Sequence, residues 1–510
     1  MPSESALFSD AYRRILGQAS GVTESAARYP ASARPSVRER IVRCVWFDQT
    51  LATEKLRTDD GRKLRVLSPG WWNLETGPDF RNAAIRMANG PVVKGDVEVH
   101  LATSLWRAHG HHTDPNYNRV ILHVCLHNDT GASAVATAAG AQVPQLTLEP
   151  YLTAPVSDLQ ESVDPAEYPE ASEASAGRCH RLIEGGEVAV EWLARFLDHA
   201  GDYRMVAKAR RLAARAEGDD DQLLYEAVAE GLGYKRNKAP FLQLARLLPF
   251  SAVRQRAARR ASDIPPGDAV EALLFGMAGL LPPDLSDHPD PEAGARVRDL
   301  RGLWDSLGGD LGDETLDPAQ WSFDGTRPVN FPTRRLGALA ALTARHLATG
   351  PARALRQALG PAAGRLAPRE LARRRAQLLE FFRSLSHPFW NARTRFGARP
   401  MRRPARLVGA DRAHTIIVNA ILPILLYQAR RDGERPFEEL LHQLYVSYPK
   451  LPSTSITRFM ALRLFGREER GVELLRSARR QQGLYQLYTD FCDSERPTCD
   501  RCPLVRLLEG

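Results

Sequence analysis

From Val93 to Leu101 the chain alternates without a break: Val93, Gly95, Val97, Val99 and Leu101 are apolar or small, and Lys94, Asp96, Glu98 and His100 are ionisable. A period of two is incompatible with a helix and dictates a β-strand, whose successive side chains point to opposite faces. One face of this strand joins a core and the other gathers the ionisable groups. Gly77-Pro78-Asp79-Phe80 sits upstream at the mouth of a second strand-like run, and His109, His111, His112 and Asp114 crowd a loop downstream. Carboxylates and imidazoles in so short a span are the donor set of a metal site.

The same periodicity extends over a wider region. Runs at 64–67, 83–88, 92–101 and 120–127 read as strands, separated by the turn formers Asp59-Asp60-Gly61, Ser68-Pro69-Gly70, Asn89-Gly90-Pro91 and Asn128-Asp129-Thr130-Gly131. The chain of 510 residues exceeds what one core normally supports, so several domains are expected. Residues 1–37 read as a short helical or loose lead-in, 38–152 as an α/β domain and 153–178 as a Ser-, Glu-, Ala- and Pro-rich linker. Beyond Cys179 the period changes. Trp192, Leu193, Phe196 and Leu197, and then Leu223, Leu224, Ala227 and Val228 behind Asp219 to Asp221, recur at helical spacing. Residues 179–490 are therefore predicted to be a mostly α-helical domain, and 491–510 a cysteine-bearing tail.

The net charge of +8 suits a polyanionic partner, but seven of the 69 basic residues are lysines and the rest arginines, a bias that nucleotide composition alone can produce. The opening Met1-Pro2-Ser3-Glu4-Ser5 leads into a polar segment, and the longest apolar stretch, at 416–427, is broken by Asn419 and Pro423. A cytoplasmic protein without a membrane partner is expected. In that compartment clustered cysteines suggest metal ligation before disulfides.

Two carboxylates on neighbouring strands, with a polar group two residues past the second, suit metal-assisted hydrolysis of a phosphodiester. Pro78-Asp79 followed 19 positions later by Glu98-Val99-His100 resembles the PD-(D/E)xK nuclease signature. The resemblance implies a restriction-endonuclease-like mixed sheet, with Asp79 and Glu98 holding Mg²⁺ or Mn²⁺, Glu75 assisting, and His100 in the place of the usual lysine. Histidine is no permanent cation near neutral pH. Lys94 is on the same face but about 20 Å from His100 along an extended strand. His109, His111 and His112 are further candidate ligands, and their approach to Asp79 and Glu98 would shift the preference towards Mn²⁺ or Zn²⁺.

Cys492-x6-Cys499-x2-Cys502 is a second ligand pattern, since thiolates two residues apart can grip one ion or cluster. Cys179 is the candidate fourth ligand, with His180 as runner-up, for an Fe–S cluster or Zn²⁺. Two segments mix arginines with aromatics as nucleic-acid surfaces do: 327–335, with Arg334 and Arg335, and 390–406, with Arg393, Arg395, Arg402 and Arg403.

Beyond these motifs, Gly95-Asp96-Val97-Glu98-Val99-His100, Trp106 with His109 and His111, Gly231-Leu232-Gly233-Tyr234 with Asn237, Arg327-Pro328 with Asn330-Phe331-Pro332, Asn419-Ala420-Ile421-Leu422-Pro423 and the cysteine tail together resemble a bacterial domain-of-unknown-function family. The combined reading is a metal-dependent nuclease, its partner nucleic acid and DNA before RNA. The alternatives are a non-catalytic nucleic-acid-binding scaffold with a degenerate site, or a metal-dependent hydrolase of a small substrate using His109, His111 and His112 with Glu98.

Overall fold

The computed structural model describes residues 8, 11–20, 39–49, 51–73, 77–88, 90–152, 178–186, 188–215, 218–234, 236–283, 290–323, 327–361, 364–466, 473–492 and 502–509. The chain divides into two compact units. One comprises Glu24–Ala174 with Thr454–Phe459, and the other Met1–Thr23, Ser175–Ser453 and Met460–Gly510. Helix α1 (Ala11–Ser20) belongs to the second, helical unit. Of the linker expected at 153–178, residues 153–177 lie outside the described residues.

The sheet unit opens with helix α2 (Glu39–Asp48), then strands β1 (Leu64–Ser68), β2 (Trp71–Trp72), β3 (Phe80–Met87) and β4 (Val92–Ala102). The short helix α3 (Leu105–Ala108) and β5 (Val120–His127), β6 (Ala134–Ala136) and β7 (Gln142–Thr147) follow. The sheet order is β1-β3-β4-β5-β7-β6, with β2 also paired to β3. Strand β1 is antiparallel to β3 and β3 to β4, β5 is parallel to both β4 and β7, and β6 closes the edge antiparallel to β7. The sheet is therefore mixed.

Register sets up the site. Glu98 pairs with His123 and His123 with Gln145, so three polar residues fall in one row across β4, β5 and β7. Val97 and Val99 of β4 join Leu122, Val124 and Leu146 in a core closed by Ile41, Val42, Val45 and Trp46 of α2. Each of these four helix side chains is at most 5% exposed, and burial of that kind is worth about 1.5–3 kcal/mol apiece. The alternation of β4 is broken once, where its pairing with β5 slips between Asp96 and Val97. Gly95 sits at that point, and a Cβ there would fall 2.3 Å from Ile121 Cγ2 and 2.7 Å from the Arg119 carbonyl oxygen. The close approach of β5 requires a glycine.

In the helical unit the expected periodicities become the helices Val190–Arg215 and Asp220–Leu232, the latter capped by Asp219, whose carboxylate accepts from the Asp221 and Gln222 amides at 2.9 and 3.0 Å. Its core includes Trp390, stacked on Phe275 with centroids 5.0 Å apart. Among the described residues no helix is long and apolar enough to cross a membrane.

Candidate metal centre

Asp79 and Glu98 lock the ends of β3 and β4 together. Glu98 Oε2 accepts from the Asp79 amide at 2.9 Å, and Asp79 Oδ2 accepts from the Val99 amide at 3.1 Å. Helix α2 adds a cation: Arg43 Nε lies 3.0 Å from Asp79 Oδ2, while its Nη2 reaches Glu39 at 2.9 Å. Asp96 is buried too, accepting from the amide of Asn82, whose φ of 56° places it in the left-handed region.

The imidazoles meet at the other oxygen of Glu98. His111 Nε2 is 3.1 Å and His100 Nε2 3.5 Å from Glu98 Oε1. His100, His109 and His111 can each turn one ring nitrogen into a cluster whose members all lie within 4.8 Å of one another. His100 and His111 are buried and His109 is exposed, so the cluster has one open side. Trp106 of α3 stands against His111 and His123, and Tyr117 stacks on His111 with ring centroids 3.8 Å apart. The loop that carries the histidines is thus pinned by aromatic packing.

A hydrogen-bond chain fixes the His100 tautomer. Asp59 accepts from the Thr147 amide, the Thr147 hydroxyl and Asn128 Nδ2, and also from Gln145 Nε2 at 2.7 Å. Gln145 Nε2 donates as well to the Ala132 carbonyl at 3.1 Å, so both partners of that atom are pure acceptors and the amide orientation is settled. Gln145 Oε1 must then accept the proton of His123 Nδ1, 2.9 Å away. His123 Nε2 becomes an acceptor, and His100 Nδ1, at 3.0 Å, donates to it. The remaining nitrogen of His100, Nε2, therefore carries a lone pair, is buried without a hydrogen-bond partner, and faces a carboxylate oxygen. Two acceptors at that distance repel unless a proton or a cation sits with them. Metal-bound histidines are held in this way, the distal ring N–H donating into the protein.

Burial, reinforced by His123, His111, His109 and Arg43, pushes the His100 pKa far below its ordinary value, and burial pushes His123 down to about 4. Both rings are neutral at physiological pH, the form that binds metal. Burial, with Glu98 and Asp79 nearby, holds the Tyr117 phenol above its ordinary pKa and so protonated.

Of the expected residues, His100, His109 and His111 form the histidine group, Glu98 meets His100 and His111 and accepts from the Asp79 amide, and His112 stands outside the group. Glu75 lies outside the described residues. Lys94 is exposed, four residues before Glu98, and the cation beside the carboxylates is Arg43 instead. Arg43, Asp59, His123 and Gln145 were not among the expected site residues. The histidine-rich strand 123–127 was the available signal for one of them.

Elsewhere the placement is mixed. Arg334, Arg335 and Arg393 are 1%, 3% and 3% exposed, whereas Arg395, Arg402 and Arg403 are exposed. Arg393 is consumed by Asp290 and Glu292 at 2.8 and 2.7 Å. Cys179 is buried and donates to the Arg463 carbonyl at 3.4 Å, Cys492 and Cys502 are half-buried, and Cys499 lies outside the described residues. The helix that carries Cys179, Arg178–Glu184, packs on Pro503–Glu509, which follows Cys502. A second carboxylate–histidine group, Asp268, Glu271 and His387, already holds the Arg296 guanidinium. A cleft of about 1270 Å³ in the helical unit, lined by Asp219–Asp221, Arg254 and Arg356 among others, shares no residue with the histidine cluster.

No match was found among curated proteins or among solved structures. The model of one family matches residues 39–450, a span covering both units, the carboxylates, the histidine loop and the arginine-rich segments. The chain belongs to the family described as "Protein of unknown function (DUF2851)".

Proposed function

We propose that the sheet unit is a divalent-metal-dependent phosphodiester hydrolase of nuclease type, acting on nucleic acid. The observation that carries this reading is the approach of the His100 Nε2 lone pair, fixed by Asp59, Gln145 and His123, to Glu98 Oε1 beside His111 and His109. The mixed sheet supports it, with β3 and β4 antiparallel and β5 parallel to β4, since a mixed sheet is what the resemblance of Asp79, Glu98 and His100 to that motif implies.

Glu98, His100, His109 and His111 would hold the metal, and a set with three imidazoles and one carboxylate favours Mn²⁺ or Zn²⁺ over Mg²⁺. Such an ion supplies polarisation of a phosphoryl oxygen and a bound water of lowered pKa. The chain's own groups do the rest. Asp79 ties the two strands in register, and Arg43 beside it supplies the permanent positive charge that the histidine at position 100 lacks. Tyr117 holds the plane of His111. His109, on the open side, faces incoming substrate.

The test is Mn²⁺-, Mg²⁺- and Zn²⁺-dependent cleavage of labelled DNA and RNA by wild type, Glu98→Ala and His100→Ala purified identically. Cleavage by wild type alone supports the proposal; no cleavage, or equal cleavage by all three, sinks it. A small-substrate hydrolase is the second reading, because the loop histidines join Glu98. A chromogenic phosphodiester hydrolysed while polynucleotides stay intact would select it.

A further inference from the structure

Arginines withdrawn from solvent in the helical unit are matched to carboxylates. Arg479 places Nε and Nη2 on the two oxygens of Asp202, Arg393 places the same two nitrogens on Asp290 Oδ2, and Arg215 reaches Glu226 and Glu230. This is the expected arrangement, since a buried cation without a counter-charge carries a large desolvation cost.

The group around Tyr234 departs from it. Arg334 and Arg335 both lie on the helix Pro332–Arg345. Arg334 donates to the carbonyls of Val329, Trp390, Ala405 and Arg406. Arg335 donates to the Leu407 carbonyl, to Asn330 Oδ1 and to the Tyr234 hydroxyl. Every one of these acceptors is neutral. Arg335 and Arg412 both stand over the Tyr234 ring, with Cζ 4.8 and 4.0 Å from its centroid. Arg335 Nε, and both Nε and Nη2 of Arg412, are buried without a hydrogen-bond acceptor. Nε and Nη2 form the edge of a guanidinium that grips an oxyanion with two parallel bonds, as Arg479 grips Asp202. Burial lowers the Arg335 pKa to about 10, with Arg334 and Arg412 adding to the effect.

The backbone is committed to this arrangement. Tyr234 has φ of 52°, a left-handed conformation that costs a bulky residue roughly 1–3 kcal/mol. It follows Gly233, where a Cβ would lie 2.3 Å from the Asn237 carbonyl oxygen. Three separated stretches, 231–237, 327–335 and 390–412, are brought to one place by Arg334 and Arg335. The exposed Arg402, Arg403 and Arg406 flank the Ala405 and Arg406 carbonyls that Arg334 holds, so positive charge continues to the surface.

We propose that Tyr234, Arg335 and Arg412 form a phosphate-binding site, in which the Nε/Nη2 edge of Arg412 makes the two-pronged contact. Phosphate fits better than carboxylate because the cluster presents several guanidinium donors to a group with several charged oxygens. The phosphate is that of a polynucleotide backbone or of a free phosphate. The inference concerns the helical unit and stands independently of the metal centre.

The experiment uses the full-length chain. Binding of a fluorescein-labelled single-stranded oligonucleotide is followed by anisotropy across a salt series, and inorganic phosphate is tested by calorimetry. Wild type is compared with Arg412→Lys, which keeps the charge but loses the two-pronged edge, with Tyr234→Leu, and with the exposed Arg254→Ala as control. Expected is about tenfold weaker binding for Arg412→Lys and Tyr234→Leu, with the control unchanged. Loss of oligonucleotide binding together with a smaller salt slope assigns the site to a backbone phosphate; loss of inorganic phosphate binding alone assigns it to a free one. Unchanged affinity for both probes in either variant, with melting temperature within a degree or so of wild type, overturns the proposal. Wild type that binds neither probe overturns it as well.

Discussion

Replacing Gln145 by Leu tests the reasoning that makes His100 a ligand, because Gln145 touches neither Glu98 nor the loop histidines. The side chain is fully buried, of nearly the same volume as leucine, and its Oε1 is the acceptor for His123 Nδ1 at 2.9 Å. Its removal leaves that N–H buried and unpaired, a loss of about 1–3 kcal/mol in stability. Asp59 keeps the Thr147 amide, the Thr147 hydroxyl and Asn128 Nδ2, so the carboxylate is not stranded. The larger consequence is for His123, which no longer has a preferred tautomer, and through it His100, which no longer has a fixed lone pair at Nε2. Removal of such an outer partner typically weakens metal binding about 10–100-fold, equivalent to about 1.4–2.7 kcal/mol. Competition of Mn²⁺ or Zn²⁺ against a chromophoric chelator measures the affinity, and urea unfolding of the metal-free protein measures the stability. A variant that loses stability but binds metal within twofold of wild type refutes the tautomer argument. Equal loss by Asp59→Asn is not required, since asparagine can still offer one acceptor oxygen to the Gln145 amide.

Other outcomes follow from single positions. Gly95→Ala is expected to lose about 1–3 kcal/mol in denaturant unfolding, because its Cβ would sit 2.3 Å from Ile121 Cγ2; a neutral result would mean that β5 moves away freely. His346, stacked on Phe381 at 4.8 Å with Nε2 buried and unpartnered, has its pKa lowered to about 4 by burial and then by Arg345. The unfolded chain, with a histidine near 6.5, takes up the proton first as the pH falls. The stabilisation is therefore full above about pH 6.5 and is lost between there and pH 4, at up to about 1.4 kcal/mol per pH unit. His346→Phe should flatten that part of the stability profile, and an unchanged slope would contradict the assignment. Elemental analysis of purified protein should find zinc or iron lowered by Cys179→Ser, on the helix packed against Pro503–Glu509, and by Cys502→Ser, just before that second helix; equal metal content in both variants and wild type would remove the cysteine site.

Alternation over 93–101 and the apolar, β-branched start of 120–127 made β4 and β5 legible as strands, although the ionisable face of β4, with Asp96, Glu98 and His100, is itself buried. The helix Val190–Arg215 was equally clear from its apolar spacing. Helix α2 was not, since Glu39–Asp48 is short and lies in a stretch that otherwise reads as strand. Strands β6 and β7 were missed for a related reason: Ala134–Ala136 is small and Gln142–Thr147 carries Pro144 and two glutamines, so neither shows a β pattern of its own. The arginine-rich segments misled in part, because composition does not distinguish a guanidinium that bonds backbone carbonyls, as in Arg334, from one at the surface, as in Arg402.

By itself the sequence determined which residue types stand two apart on β4, that a carboxylate precedes them at the mouth of another strand, and that histidines follow within a few residues. Those are local facts, fixed by the pleat. Which nitrogen of His100 is free, and what stands beside Asp79, was decided by tertiary structure alone. The first depends on Asp59 and Gln145, which are 41 and 45 positions from His100 in the chain and reach it only through the parallel pairing of β4, β5 and β7. The second depends on α2 docking its apolar stripe onto the sheet and so bringing Arg43 to the carboxylate. Hydrogen-bond direction and charge pairing act across space at about 3 Å, and no periodicity in the chain encodes which distant strand will supply the partner.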